Sequence, residues 1–200
     1  IDTGYMLQAD SQDKTNLLAL TRAELEAFFA EWGEKPYRAT QVMGWIHQAG
    51  VADFGAMSNL SKALRTRLQE GAAVALPEVA ADQSSVDGTR KWLLRLADGN
   101  CIETVFIPEE GRGTLCVSSQ VGCTLNCRFC ATGYQGYNRN LETGEIIAQI
   151  WLAYRALGVS VKTDRVITNV VFMGMGEPMY NLDNVIKAIA SYAGQPVDVL

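Results

Sequence analysis

The sequence lacks the features that would place it in a specialised class of protein. It has no run of about 18 apolar residues, which a membrane-spanning helix requires. It has no basic segment followed by an apolar one at its start, as a secretory signal would have. Its 200 residues are 48% hydrophobic and 20% charged, which is ordinary for one or two globular domains. We therefore expect a soluble, cytoplasmic protein.

The sequence also lacks an excess of positive charge. Its formal net charge is −5, so the overall charge does not indicate a nucleic-acid partner. Any basic footprint has to be local, and two short clusters are candidates: Lys62, Arg65 and Arg67, and then Arg90 and Lys91. Small clusters of this kind are usually solvated surface, and the sequence alone favours that interpretation.

The sequence also lacks an even number of cysteines at regular paired spacing. Five cysteines without paired spacing argue against a secreted disulfide scaffold. Three of them, Cys123, Cys127 and Cys130, follow the pattern C-x3-C-x2-C. The question is which chemistry requires three thiols within eight residues.

Three chemistries compete for these cysteines. A structural zinc ion takes four ligands, and the fourth would have to be the only histidine, His47, or Cys101, Cys116 or a carboxylate. A thioredoxin-like site would use only Cys127 and Cys130, without the helix that should start at the first of them. An iron–sulfur cluster explains all three, because each iron of a cubane takes one thiolate and the fourth iron remains open to a chelating ligand.

The hydrophobic pattern predicts a mixed α/β fold. Residues 15–70 form a small helical module, with helices predicted after a capping box at Thr21 and over 39–48 and 60–69. Residues 72–108 read as β-hairpins, with Asp-Gly turns at 87–88 and 98–99. From residue 109 onward, strands alternate with helices predicted over 144–157, with Thr143 as N-cap, and over 182–192, as in a parallel α/β sheet.

The cysteine triplet resembles the signature of radical S-adenosylmethionine (SAM) enzymes. A second segment, GMGEP, follows the predicted strand ITNVVFM and resembles the glycine-rich segment that contacts SAM in that superfamily. Glycines allow a backbone to approach a ligand, and a carboxylate can accept hydrogen bonds from an ammonium group. The resemblance implies a 4Fe–4S cluster on Cys123, Cys127 and Cys130, and SAM at Gly176 and Glu177.

Further segments resemble one family, the bacterial dual-specificity RNA adenine-C2 methyltransferases. They are GEKPYRATQVMGWIH, DGTRKWLLRL, ETVFIPEEGRGTLCVSSQVGC, GYNRNL and ITNVVFMGMGEPMYNLDNV. The resemblance covers residues 15–193. It implies methylation of adenine C2 in 23S ribosomal RNA and in transfer RNA, a reducing partner such as flavodoxin, and a monomer. It also implies that residues 15–70 bind RNA and that residues 72–108 form a β-hairpin segment connecting them to the next domain. Residues 109–200 would then begin a partial β/α barrel that is incomplete here.

The same resemblance assigns two catalytic residues. Glu103 matches the acceptor of the adenine proton, and Cys116 matches the cysteine that releases the product by forming a disulfide with a methyl-carrying cysteine. On their residue types alone, Glu103 is an outward residue of a strand and Cys116 a small buried one. Cys101 matches no functional residue.

The match also has gaps. No residue here matches the methyl-carrying cysteine, so we expect the chain to be incomplete and inactive by itself. Three other functions remain open at this stage. They are methylation of adenine C8, a truncated RNA-binding iron–sulfur protein without activity, and a structural iron–sulfur or zinc protein.

Overall fold

The N-terminal elements form a helical module. The computed structural model describes residues 14–159, 166–192 and 198–199, the last two by their backbone only. The module comprises β1 (Thr15–Asn16), α1 (Arg22–Glu31), α2 (Tyr37–Met43), α3 (Lys62–Gly71) and β2 (Ala72–Ala73). The predicted capping box begins α1. Parallel pairing of β1 with β2 brings the two ends of the module together.

Two helices of the module differ from the prediction. The helix predicted over 39–48 is α2 followed by one π-helical turn, Gly44–Gln48, in which the Ala49 N–H donates to Gly44 O at 3.1 Å. The turn carries Ile46 and His47, which are both buried. The helix predicted from residue 60 begins at Lys62, because the Ser61 side chain accepts a hydrogen bond from the Leu64 N–H and acts as its N-cap.

The rest of the chain is built around a mixed sheet. Its elements are β3 (Glu78–Ser84), β4 (Arg90–Arg95), β5 (Cys101–Glu109), β6 (Arg112–Cys116), β7 (Gln120–Gly122), β8 (Tyr137–Asn140), α4 (Thr143–Leu157), β9 (Asn169–Val171), α5 (Leu182–Tyr192) and β10 (Asp198–Val199). The strand order is β10-β9-β6-β5-β4-β3. Strands β3 to β6 form an antiparallel meander, while β6, β9 and β10 are parallel. The predicted mixed α/β class is confirmed.

The meander turns where the sequence predicted. Gly88 has φ 85° and Gly99 has φ 84°, a left-handed conformation that favours glycine. Each glycine lies in the tight turn that joins two neighbouring strands. Because β5 pairs with β6, one continuous sheet crosses residue 109, where the sequence pattern changes.

Helix α4 covers one face of this sheet. Thr104 of β5 points towards it, and its hydroxyl lies 2.9 Å from the Gln149 Oε1. The helix begins at Thr143, so the prediction of Thr143 as N-cap is wrong by one residue. Glu142 is the N-cap and forms a capping box with Glu145. Among the described residues, no helix is long and apolar enough to cross a membrane.

Candidate functional site: the cysteine loop and the glycine-rich loop

The cysteine triplet lies on a loop that a two-stranded hairpin closes. Strands β7 and β8 pair antiparallel on either side of residues 123–136. The Cys123 N–H donates to Gly136 O at 3.1 Å, just beyond the last strand pair. Inside the loop, the Cys130 N–H donates to Cys127 O at 3.0 Å. The three cysteines therefore sit on one compact, internally bonded loop.

The thiols of this loop fit an iron–sulfur cluster. All three are partly exposed and free of disulfides. The neighbouring backbone N–H groups of Gly133 and Thr132 lower the pKa of the Cys130 thiol and so favour the thiolate that binds iron. Within the described chain, no three His, Cys, Asp or Glu side chains converge on one ion position. A cubane does not require such convergence, because each thiolate binds a different iron.

The glycine-rich loop packs directly against the segment that leads into the cysteine loop. It follows β9, and β6 pairs with β9, so both loops leave the same end of neighbouring parallel strands. The Gly174 N–H donates to Val117 O at 3.1 Å, and the N–H groups of Ser119 and Gln120 donate to Met175 O at 2.8 and 3.2 Å. The carboxyl end of parallel strands is the usual ligand site of α/β folds.

Gly176 allows the closest approach between the two segments. Its φ of 94° favours glycine, and a Cβ at this position would lie 2.5 Å from the Gln120 Cβ. Its neighbour Glu177 donates its backbone N–H to the Gln120 Oε1 at 3.0 Å. The Glu177 side chain accepts from the Met179 N–H at 3.2 Å. The structure thus brings Gly176 and Glu177 beside the base of the cysteine hairpin.

Arg139 fixes that hairpin to the rest of the fold. Its guanidinium donates to Asp98 at 2.6 Å, in the turn between β4 and β5, and to Glu145 at 2.8 Å, in the first turn of α4. Hydrogen bonding from Arg139 lowers the pKa of the Asp98 carboxyl to about 2. The cysteine loop is therefore carried by a hairpin that is bonded to two separate elements.

Glu103 and Cys116 lie on the sheet face opposite α4. Cys116 pairs with Val105, which follows Glu103 by two residues and therefore points to the same side. This register makes Glu103 and Cys116 diagonal neighbours, a relation that places Cα atoms about 7–8 Å apart. Glu103 is about half exposed and pairs with Lys91 at 3.0 Å. Burial raises the pKa of the Cys116 thiol.

The basic residues that the sequence singled out mostly have intramolecular partners. Arg65 donates to Gly55 O at 2.6 Å, and Arg67 donates to Trp32 O at 2.9 Å. Arg67 also stacks over the Trp32 ring at 4.5 Å. These contacts stabilise the helical module.

The second basic cluster is paired in the same way. Arg90 contacts Asp82 at 2.6 Å and also donates to Ala156 O, and Lys91 is the partner of Glu103.

Lys62, in the first cluster, differs from the other four basic residues. Within the described chain, it has no such ion pair and is exposed.

Sequence reasoning missed the polar residues that join the two loops. Gln120 and Asn140 are hydrogen-bonded to each other at 2.8 Å across the hairpin. Asn181 donates to Ser119 O and to Leu141 O, both at 2.8 Å. The sequence did contain one indication of these residues, the polar run SSQ, which interrupts the apolar residues of a predicted strand. That signal does not reveal the partners, because they lie far away in the sequence.

The chain is similar to curated RNA methyltransferases. Residues 15–74 match the family described as Ribosomal RNA large subunit methyltransferase N-terminal domain. The chain is 57% identical to the dual-specificity RNA methyltransferase RlmN of Pseudomonas putida strain F1, and 58% identical to that of strain W619. Each match covers 180 residues, which is 90% of this chain and 47% of the relative. The predicted resemblance is confirmed, and the chain spans about half the length of these relatives.

A solved structure supports the same resemblance. The crystal structure of a radical SAM methyltransferase from Sphaerobacter thermophilus superposes with a TM-score of 0.82 at 38% sequence identity. The match covers 92% of this chain and 53% of that one. The described α/β fold is thus similar to that of the corresponding part of this radical SAM methyltransferase.

Proposed function

We propose that this chain is the N-terminal part of a radical SAM methyltransferase that methylates C2 of adenine in 23S ribosomal RNA and in transfer RNA. The observation that carries the proposal is the packing of the glycine-rich loop against the segment preceding the cysteine triplet. Similarity to dual-specificity RNA methyltransferases over 90% of the chain supports the substrate class.

Cys123, Cys127 and Cys130 would hold a 4Fe–4S cluster, and Gly176 and Glu177 would contact SAM. When bound, these groups supply the one-electron chemistry that an unactivated aromatic C–H requires. The chain's contribution is placement. The hairpin of β7 and β8 presents the thiols, and the backbone N–H groups of Gly133 and Thr132 lower the pKa of the Cys130 thiol.

Glu103 would accept the proton that leaves adenine. A general base has to be within hydrogen-bond reach of that proton, and Glu103 is accessible on the uncovered side of the sheet. Its ion pair with Lys91 is partly exposed, and such pairs are weak enough for a bound substrate to replace. Cys116 would act beside it as the thiol that releases the product.

RNA would approach from the side on which Glu103 and Cys116 lie. Arg65, Arg67 and Arg90 already use guanidinium N–H groups in intramolecular hydrogen bonds, so they have fewer donors left for phosphate. Lys62 is the cation of the helical module that we propose for phosphate contact. We also propose a cytoplasmic enzyme that receives its electrons from a small redox protein such as flavodoxin.

Metal analysis after anaerobic reconstitution tests the site. We expect about four irons and four sulfides per chain, with the broad visible absorption of a 4Fe–4S cluster. Cys127→Ala should lose the cluster. Cys101→Ala is the matched control, because Cys101 is also partly exposed but lies on β5, and it should retain the cluster. Fully occupied tetrahedral zinc with no iron bound would contradict the proposal.

The methylation product tests the substrate assignment. A full-length protein containing this chain should convert adenosine to 2-methyladenosine in both RNA classes, as measured by nucleoside mass spectrometry and chromatography. Formation of 8-methyladenosine instead would support the C8 alternative. A cluster-loaded protein that binds RNA without methylating it would support the inactive alternative.

A further inference from the structure

Gln120 is a buried residue whose side chain reaches both functional loops. It is fully buried at the start of β7. Its Oε1 accepts hydrogen bonds from the Thr124 N–H at 3.2 Å, from the Thr124 hydroxyl at 3.3 Å, and from the Glu177 N–H at 3.0 Å. Its Nε2 donates to the Asn140 Oδ1 at 2.8 Å. All of these contacts are made by one amide group.

The chemistry of the partners fixes the orientation of this amide. Backbone N–H groups can only donate, so the atom that receives the Thr124 and Glu177 N–H groups is the oxygen. The nitrogen then faces Asn140, whose own Nδ2 donates to Tyr180 O at 3.0 Å. Donors and acceptors alternate along the whole network, and buried polar groups that are satisfied in this way hold one arrangement.

The two N–H donors come from the two loops of the site. Thr124 follows Cys123 directly, at the start of the cysteine loop. Glu177 belongs to the glycine-rich loop. Because both bond to one oxygen, a single side chain links the two loops directly.

Backbone contacts at the same residue reinforce this link. The Gln120 N–H donates to Met175 O, and Gly176 lies against the Gln120 backbone so closely that a Cβ would come within 2.6 Å of its nitrogen. Gln120 is thus the point where the glycine-rich loop rests on the cysteine hairpin. A simple space-filling role would require neither the amide nor its orientation.

We propose that Gln120 is a positioning residue for SAM, because it holds the cysteine loop and Glu177 at the one spacing at which both can contact the same ligand. This inference rests on the proposed function, since it requires the two loops to serve one site. Gln120 itself acts through Thr124 and Glu177.

Amide hydrogen exchange of the chain without cofactors tests the link directly. In Gln120→Leu, the Thr124 and Glu177 amides should both exchange at least 10-fold faster than in the wild type. The Val117 amide, which bonds to Val171 O in the sheet, should keep its rate. Gln120→Glu places a fully buried carboxyl at this position, which burial keeps protonated, so it retains an oxygen acceptor for the two N–H groups and a donor towards Asn140 and should keep both amides protected. Unchanged exchange at Thr124 and Glu177 in Gln120→Leu, or an equal rise at Val117, would overturn the proposal.

SAM titration of the reduced, reconstituted chain tests the consequence. SAM should change the electron paramagnetic resonance spectrum of the cluster in the wild type. Gln120→Leu should keep its iron content and its spectrum without SAM, but should need at least 10-fold more SAM for half of the change, and Gln120→Glu should restore most of the affinity. Leu68→Ala, which removes a fully buried side chain of the helical module, is the control for general destabilisation and should bind SAM normally.

The possible failures are distinguishable. A wild-type chain that takes up no cluster would contradict the proposed function and the inference together. A wild-type response to SAM that Gln120→Leu shares at the same concentration would contradict the inference alone.

Discussion

Glu103 and Cys116 show how the register of two strands can bring residues together. They lie on neighbouring strands, β5 and β6, and both point away from α4. Each residue alone has an ordinary structural explanation, as an outward carboxylate and a small half-buried thiol. Their diagonal relation on one accessible face is what makes a shared chemical role plausible.

Substitution of these two residues should separate cluster chemistry from product formation. In a full-length protein containing this chain, Glu103→Gln and Cys116→Ala should retain iron and SAM cleavage. Methylation should fall by about 100-fold or more, the usual contribution of a positioned base or nucleophile. Cys116→Ala should also accumulate a covalent protein–RNA adduct, visible as a shifted band on a denaturing gel.

Cys101→Ala provides the control for these variants. Cys101 lies two residues before Glu103 and therefore on the same face, but it has no proposed role. Its substitution should leave methylation unchanged. Wild-type activity in both Glu103→Gln and Cys116→Ala would return the two residues to a structural role.

At the scale of elements, the site depends on how closely one loop packs on one strand. The glycine-rich loop contributes backbone groups rather than side chains at Gly174, Met175 and Gly176, and these meet the segment from Val117 to Gln120. Such a contact tolerates no added volume, because the facing atoms include backbone atoms and the Gln120 Cβ, which cannot rotate away.

A pair of glycine substitutions should measure this constraint. Gly176 and Gly111 both have positive φ, 94° and 71°, but a Cβ at Gly111 would meet no atom within 4 Å. Gly111→Ala should therefore cost about 1–2 kcal/mol, for the left-handed conformation alone. Gly176→Ala should cost about 3 kcal/mol or more, because overpacking adds to it. Chemical denaturation measures both values, and equal costs would show that the loop is not tightly packed on β7.

At the scale of the whole molecule, the helical module and the sheet share one core. The Trp151 indole N–H of α4 donates to Ile46 O of the module at 2.9 Å. His47 contacts the Tyr192 ring of α5 edge to face, at 5.7 Å between ring centroids. Lys187 of α5 pairs with Glu24 of α1 at 2.8 Å. The module is therefore anchored to α4 and α5.

This junction should make stability depend on pH. Burial lowers the pKa of His47 to about 4 from 6.5, so the folded protein binds the proton more weakly than the unfolded chain does. The folded state therefore keeps its full free energy of unfolding above pH 6.5 and loses part of it as the pH falls from 6.5 towards 4. Between pH 7 and pH 5 the loss should be about 2 kcal/mol in the free energy of unfolding.

His47→Leu is the comparison that isolates this effect. Leucine does not titrate, so the variant should lose about 2 kcal/mol less than the wild type between pH 7 and pH 5, as measured by urea denaturation at both values. Carboxyl groups titrate equally in both proteins and cancel in the difference. An identical pH dependence in the two proteins would show that His47 can be protonated without cost.

Local interactions made part of this structure predictable. The turns at Gly88 and Gly99 follow from Asp-Gly pairs whose glycines adopt positive φ, and the capping box at Thr21 uses residues three apart. The cysteine spacing likewise confines three thiols to one loop. These features depend on neighbours in the sequence, so they could be predicted without the fold.

The contacts between residues that are distant in the sequence form only in the tertiary structure and could not be predicted. The π turn at Gly44–Gln48 carries residues that are buried against α4 and α5. Arg65, Arg67 and Arg90 belong to basic clusters that the sequence places on a solvated surface, but in the fold each of them donates hydrogen bonds to a partner elsewhere in the chain. The link from Gln120 to Thr124 and Glu177 and the shared face of Glu103 and Cys116 exist only after the strands have paired. A residue's type and spacing fix which bonds it can make, but the packing of the sheet fixes which partners come within reach.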